Sequence, residues 1–398
     1  DPAMPALPSL HRLLATLALL LAAALGGCAS LAPPSPAPLL HDALFDHPPR
    51  PAEADAVLQL SPAMQAHADR LRWTVRRPAD LPLALGESLY KPGGLRLDYD
   101  ASFTRNAAQA FDARSGNCLS LVVMTAALAR ALDLEVGFQN VPGSDQFRRE
   151  GDLTMHTGHV NLVLGEGLRA RLPGNASAPV VRRHLVIDFL PQETARSLPA
   201  EPIGEAQVLA MFMNNRAVES LLAQAPAQAY AWVREALRTD PGFAPAYNTL
   251  GVVYQRGGHL AQAAAAFEQV LALDDTQVAA MANLAQVRRA QGRDAEARAW
   301  DTRRAALEPH PPFHFLRLGQ AALAGGQWAL ARGHFERELR TQPDSHEAWF
   351  GLARVHAAQG DAARAEQALR RALAASATAG EQARYAGKLD RLKATLAQ

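Results

Sequence analysis

The sequence predicts an α+β domain followed by an all-α helical-repeat solenoid, and three observations carry that prediction. Leu250, Leu284, Leu318 and Leu352 stand 34 residues apart, the spacing of a repeated helix pair. Upstream, an apolar helix pattern opening at Asn117-Cys118 is followed by alternating strand patterns at His159–Leu164 and His184–Phe189. Aromatic residues make up only 6% of the 398 positions and alanine is abundant, which favours packed helices over a β-sandwich. A composition 48% hydrophobic and 20% charged excludes a disordered chain, and 40 basic against 39 acidic side chains leave no net field to hold nucleic acid. The two cysteines, Cys28 and Cys118, exclude a disulfide scaffold or a Cys-rich zinc fold.

The chain begins as an export signal would. His11 and Arg12 precede an apolar run from Leu13 to Leu25, interrupted only by Thr16. As a helix that run spans roughly 20 Å, too short for a hydrocarbon core of about 30 Å. A signal peptide over residues 1–27 is the expectation. Leu25-Gly26-Gly27-Cys28 resembles a bacterial lipobox, which implies acylation of Cys28 as the new N-terminus. Ala29 behind it, by the same resemblance, implies a lipid-anchored protein of the bacterial cell envelope, at the outer membrane and facing the periplasm. Prolines crowd the next stretch, from Pro33-Pro34 to Pro48-Pro49-Arg50-Pro51, so residues 28–52 are predicted to be an extended tether. With Cys28 acylated, Cys118 becomes a lone thiol in an oxidising compartment, which marks it as a candidate reactive group.

Residues 53–208 are long enough for one domain with its own core. Ser61-Pro62 reads as an N-cap and first helical position, opening a helix through Leu71. Gly116-Asn117 breaks the preceding segment, and Asn117 as N-cap places Cys118 in the first turn of a long apolar helix. The free N–H groups there favour thiolate over thiol. Glu135–Val141 reads as a strand and Pro142–Gly158 as a polar loop. In the strand that follows, alternation puts His159, Asn161 and Val163 on one face; in the next, His184, Val186 and Asp188 share a face. If these strands pair antiparallel, His159 meets Asp188 across the ladder. Cys118 as nucleophile, His159 as base and Asp188 as orienting group form the logic of a thiol triad. His156, placed in the loop, is the rival base.

Gly-Asn-Cys-Leu-Ser opening a buried helix, then His before an apolar strand, then Asp in the next strand, resembles the transglutaminase-like superfamily, a papain-related fold. The resemblance covers about residues 55–205. It implies a cysteine peptidase or amidase working through a thioester, or a transglutaminase that passes the acyl group to an amine. It implies no metal or other cofactor, and the sequence offers no HExxH or Cys/His ligand spacing.

From residue 209 the repeats take over. Tyr247, Met281, Phe315 and Trp349 precede the spaced leucines by three positions, and Gly251, Ala285, Gly319 and Ala353 follow them by one. Ala263, Ala297, Ala331 and Ala365 keep the same period. This pattern resembles the tetratricopeptide repeat, in five units (210–243, 244–277, 278–311, 312–345, 346–379) with a capping helix over 380–397. Asp301 and Arg304 fall where small or apolar residues are usual, so the third unit is expected to pack less tightly. By register, Asn248, Gln255, Gln286, Arg289, Gln320, Phe350 and Arg354 face the groove that would take a protein partner or peptide. The alternative to an enzyme is a non-enzymatic scaffold lipoprotein whose repeats recruit a partner for envelope assembly.

Overall fold

A computed structural model describes residues 35–150, 153–165, 184–189, 199–376 and 378–396. The export run and Cys28 lie outside the described residues. Among those described, no helix is long and apolar enough to cross a membrane.

Residues 36–55 do not run as an extended tether. Proline limits them to short 3-10 turns at Ala37–Leu39, Asp42–Phe45 and Ala52–Asp55, and these dock on the repeats. Helix α1 (Pro62–Thr74) opens with Ser61 Oγ accepting from Met64 N at 3.2 Å, and α2 (Leu81–Tyr90) follows. Strands β1 (Asp98–Tyr99) and β2 (Ser115–Gly116) pair in parallel, enclosing α3 (Ala107–Ala113), whose Asn106 and Gln109 form a reciprocal cap. Helix α4 (Cys118–Ala131) is buried from Cys118 through Ala129 and packs on α1, α2 and α3. Being apolar on every side, it suits the centre of a domain and no surface position.

The main sheet holds β3 (Val136–Glu150), β4 (Leu153–Gly165), β5 (His184–Ile187) and β6 (Glu201–Ile203) in the antiparallel order β5-β4-β3-β6. The predicted loop from Pro142 to Gly158 is therefore mostly strand, with the register shifting between Val141 and Gln146. Its polar composition did not exclude this, because a two-stranded ribbon satisfies its backbone within the pair and needs no apolar face. His156 consequently lies in β4, opposite Phe147, not in a loop.

Strand β6 runs through Gly204 into α5 (Glu205–Leu222), which packs on α4 and β3 and pairs with α6 (Pro226–Thr239). Helix pairs continue as α7 (Ala244–Arg256) with α8 (Leu260–Leu273), α9 (Val278–Ala290) with α10 (Asp294–Leu307), α11 (His314–Ala324) with α12 (Trp328–Thr341), and α13 (His346–Ala358) with α14 (Ala362–Ala374). Helix α15 (Ala379–Leu396) closes the array against α14. Small residues let these helices cross closely. A Cβ on Gly319 or Gly351 would fall 2.6 or 2.5 Å from the Phe335 ring, so one phenyl fills both crossings.

The array is not uniform. Leu250, Leu284 and Leu352 are buried, whereas Leu318 at the same register is 40% exposed. The buried apolar residues fall into two clusters: one runs from Phe45 through the strand domain to Val287, the other from Phe313 to Leu389. The cause sits at position 301. Phe267 and Phe335 occupy that register in the neighbouring units and are fully buried; here Asp301 pairs instead with Arg289 of its own unit. Without a ring to bridge α10 to α11, Leu307 is left 50% exposed beside the Pro309–Pro312 turn. The loose packing expected of the third unit thus takes the form of a gap in the core.

The N-terminal segment docks on the first two repeats. Phe45 stacks on Tyr230 with ring centroids 4.5 Å apart. Tyr254 donates to Leu39 O at 2.7 Å and accepts from His41 N at 3.1 Å. Tyr230 donates to Asp42 at 2.8 Å, Arg234 donates to Pro48 O at 3.0 Å, and Arg50 pairs with Glu235 at 2.7 Å.

Candidate active site

The thiol is placed by the turn before α4. Arg114 takes a left-handed conformation (φ 53°), and β2 is held to β1 by Asp98 N donating to Arg114 O at 2.9 Å and Asp100 N to Gly116 O at 3.0 Å. A side chain at 116 would put its Cβ 2.6 Å from that of Ser120, which is why glycine stands there. Asn117 Oδ1 accepts from Ser120 N and Ser120 Oγ, both at 2.8 Å, capping α4 one residue before Cys118. Ser120 Oγ in turn accepts from Arg105 N at 2.8 Å, and Asn117 Nδ2 donates to Thr104 Oγ1 at 2.9 Å. Cys118 is a free thiol, 5% exposed.

The base and its partner come from the sheet. Strands β4 and β5 pair with Leu162 opposite Ile187 and Val163 opposite Val186. Asp188 is the first residue past β5, level with Asn161, and reaches diagonally to His159. His159 Nε2–H donates to Asp188 Oδ1 at 2.8 Å, and Asn161 Nδ2 donates to Asp188 Oδ2 at 3.0 Å. Tyr90 of α2 adds a bond from its hydroxyl to the Asp188 carbonyl at 3.1 Å. Cys118 lies close enough to His159 to act on its charge. Burial depresses the imidazole's pKa, but Asp188 and Cys118 outweigh it and raise it to about 9. Cys118, His159 and Asp188 are thus brought together, with His159 hydrogen-bonded to Asp188. The diagonal follows from strand register: side chains two positions apart on one face can share a single carboxylate.

Sequence reasoning missed Asn161, Tyr90 and Thr104 as parts of this site. The alternation that singled out His159 already put Asn161 on the same face; Tyr90 and Thr104 carried no local signal. A cavity of about 310 Å³ lined by Arg70, Leu95, Phe111, Asp112 and Arg114 does not include the thiol. Among the described residues no group of three metal-ligating side chains converges.

The groove candidates all lie on first helices of their units: Asn248 and Gln255 on α7, Gln286 and Arg289 on α9, Gln320 on α11, Phe350 and Arg354 on α13. They are not equally available. Asn248 accepts from Asn283 at 3.1 Å, and Arg289 is paired with Asp301. Phe350 and Arg354 line a cavity of about 260 Å³ with Lys388 and Arg391 of α15, and the Lys388 ammonium sits 4.6 Å from the Phe350 ring centroid.

Helix pairs of this period make the C-terminal half an array of tetratricopeptide repeats. The family profiles described as tetratricopeptide repeat match residues 244–277 and 316–380, on either side of the third unit. Superkiller protein 3 of Schizosaccharomyces pombe is 32% identical in an alignment of 149 positions that covers 34% of this chain but only 10% of that protein. The crystal structure of MamA aligns over 44% of this chain and 93% of its own at 18% identity, with a TM-score of 0.25. That of PilW, a widely conserved type IV pilus biogenesis factor, aligns over 47% and 92% at 23% identity, with a TM-score of 0.26.

Proposed function

We propose that this chain is an envelope lipoprotein whose tetratricopeptide array (209–398) binds a protein or peptide partner and whose strand domain (53–208) is a transglutaminase-like cysteine hydrolase. The scaffold layer is supported by the repeats themselves, since such arrays present extended concave surfaces to partners. The lipid anchor is supported by Leu25-Gly26-Gly27-Cys28, and the facing of the periplasm follows from that anchor.

One observation carries the chemical layer: the His159–Asp188 hydrogen bond standing beside the Cys118 thiol at the start of α4. In that reading the Cys118 sulfur attacks an amide carbonyl, with the Cys118 N–H facing the developing oxyanion. The C–N bond breaks as His159 gives its proton to the departing amine, leaving a thioester on Cys118. Water then attacks the thioester while His159 takes its proton. The C–S bond breaks, the carboxylic acid leaves, and the thiolate–imidazolium pair is restored. An amine in place of water gives acyl transfer, the transglutaminase outcome. Asp188 orients the imidazole and stabilises its cation, and Asn161 holds the second oxygen of Asp188. No cofactor takes part.

A second reading, the non-enzymatic scaffold, is favoured by the family profiles, which fall on the repeats, and by the 5% exposure of Cys118. Alkylation separates the two. In the hydrolase, iodoacetamide labels Cys118 at mildly acidic pH and His159→Ala slows the labelling at least tenfold. A thiol that reacts only after denaturation, or whose rate climbs with pH near the free value of about 8.5 regardless of His159, establishes the scaffold reading.

A further inference from the structure

We infer that Glu219, on the first helix of the repeat array, is a positioning residue for the Cys118 thiol, acting through Thr104 and Asn117. The inference rests on the cysteine-hydrolase reading and extends that site into the array.

Glu219 lies on α5, 101 residues beyond Cys118 in sequence. Its Oε1 accepts from Thr104 N at 2.7 Å. Thr104 is fully buried, and its Oγ1 accepts from Asn117 Nδ2 at 2.9 Å. Glu219 thus holds the backbone N–H of the residue whose hydroxyl oxygen takes the Asn117 amide. With Nδ2 bonded to Thr104, Oδ1 is left to cap Ser120 N at the start of α4. A cap held in the wrong sense would set an N–H against the Ser120 N–H and open the turn that carries Cys118.

Glu219 is itself fixed. Arg216, one turn earlier, pairs with it at 3.1 Å and with Glu53 of the N-terminal segment at 3.2 Å, and lies 4.2 Å over the Phe103 ring, next to Thr104. The array, the N-terminal segment and the thiol's cap therefore meet at one half-buried carboxylate.

The test uses the full chain and follows Cys118 alkylation by iodoacetamide from pH 5 to 8, beside the melting temperature. Thr104→Val keeps the side-chain shape and the N–H bond to Glu219 but removes the hydroxyl. Glu219→Gln keeps the volume but replaces the charged acceptor of the Thr104 N–H with a neutral amide. Both are expected to slow alkylation below pH 7 about fivefold, the loss of one helix cap. Both should also move the rate's pH midpoint up towards that of a free thiol. Thr104→Ser restores wild-type values. Wild-type rates and midpoints in Thr104→Val and Glu219→Gln, whatever their melting temperatures, overturn the inference; if Glu219→Gln does not fold, Thr104→Val decides alone. A wild-type rate that ignores His159→Ala is a different result: it sinks the hydrolase reading, and the inference with it.

Discussion

Phe335→Ala tests the gap in the repeat core. The Phe335 ring is fully buried and touches the backbones of α11 and α13 at Gly319 and Gly351. Emptying such a site costs about 3–5 kcal/mol, because backbone on two sides cannot collapse into the space. Residues 312–396 form a block of about 85 residues, for which about 4–12 kcal/mol of stability is ordinary. The substitution thus removes a large share of that block's stability. Asp301 leaves no ring to join α10 to α11, so the loss should not spread to the first core. Hydrogen exchange read by mass spectrometry resolves the two regions. A loss of about 4 kcal/mol lowers protection in α11–α14 roughly a thousandfold, and protection in α6–α9 should stay at its wild-type level. Phe267→Ala is the mirror experiment: it should loosen α7–α9 and spare α11–α14. Protection falling equally along the whole array would refute the gap, and unchanged protection in α11–α14 would refute the bridging role of Phe335.

Two further outcomes are expected. His159 has its pKa raised to about 9 from 6.5, so its interactions stabilise the fold fully below about pH 6.5 and fade as pH rises through 9. The denaturant midpoint of His159→Gln should therefore lie below wild type at pH 6 and converge with it above pH 9.5; a gap constant across that range contradicts the pairing. Cys28→Ser should abolish incorporation of labelled fatty acid, and acylation that persists in the variant removes the lipoprotein reading.

The sequence foretold these features unevenly, for physical reasons. The repeat period was legible because each helix pair meets its neighbour in the same way, which forces Leu250, Gly251 and Ala263 to recur every 34 residues. The start of α4 was legible because capping is local: Gly116-Asn117 fixes it within three positions. The diagonal from His159 to Asp188 was only half legible. Alternation gave the faces, but register fixed that Asp188 sits level with Asn161. Features that depend on distant partners left no local mark. Glu219 reads as one more helix carboxylate until Thr104 is placed beside it, 115 residues away in sequence. The proline-rich stretch reads as solvated tether because its anchors, Tyr230 and Tyr254, come about 200 residues later. Leu318 looks like its buried counterparts, and its exposure shows only once the preceding unit, with Asp301 in place of a ring, is packed beside it.

That docked segment also imposes an order on synthesis. Phe45 and Asp42 emerge from the ribosome first, yet Tyr230 lies 188 residues downstream of Asp42, and Tyr254 lies 215 residues downstream of Leu39. At about 5–20 residues per second the wait is roughly 10–40 s. During that interval the segment has none of the partners it later binds, while everything from α1 to α5 is being made behind it. When Tyr230 and Tyr254 arrive, docking joins the two ends of that stretch and closes the intervening domain into a loop at its base. The closure ties the docked segment to the first repeats, so a nascent chain released before residue 230 would carry a strand domain whose leading segment lacks both tyrosines that hold it.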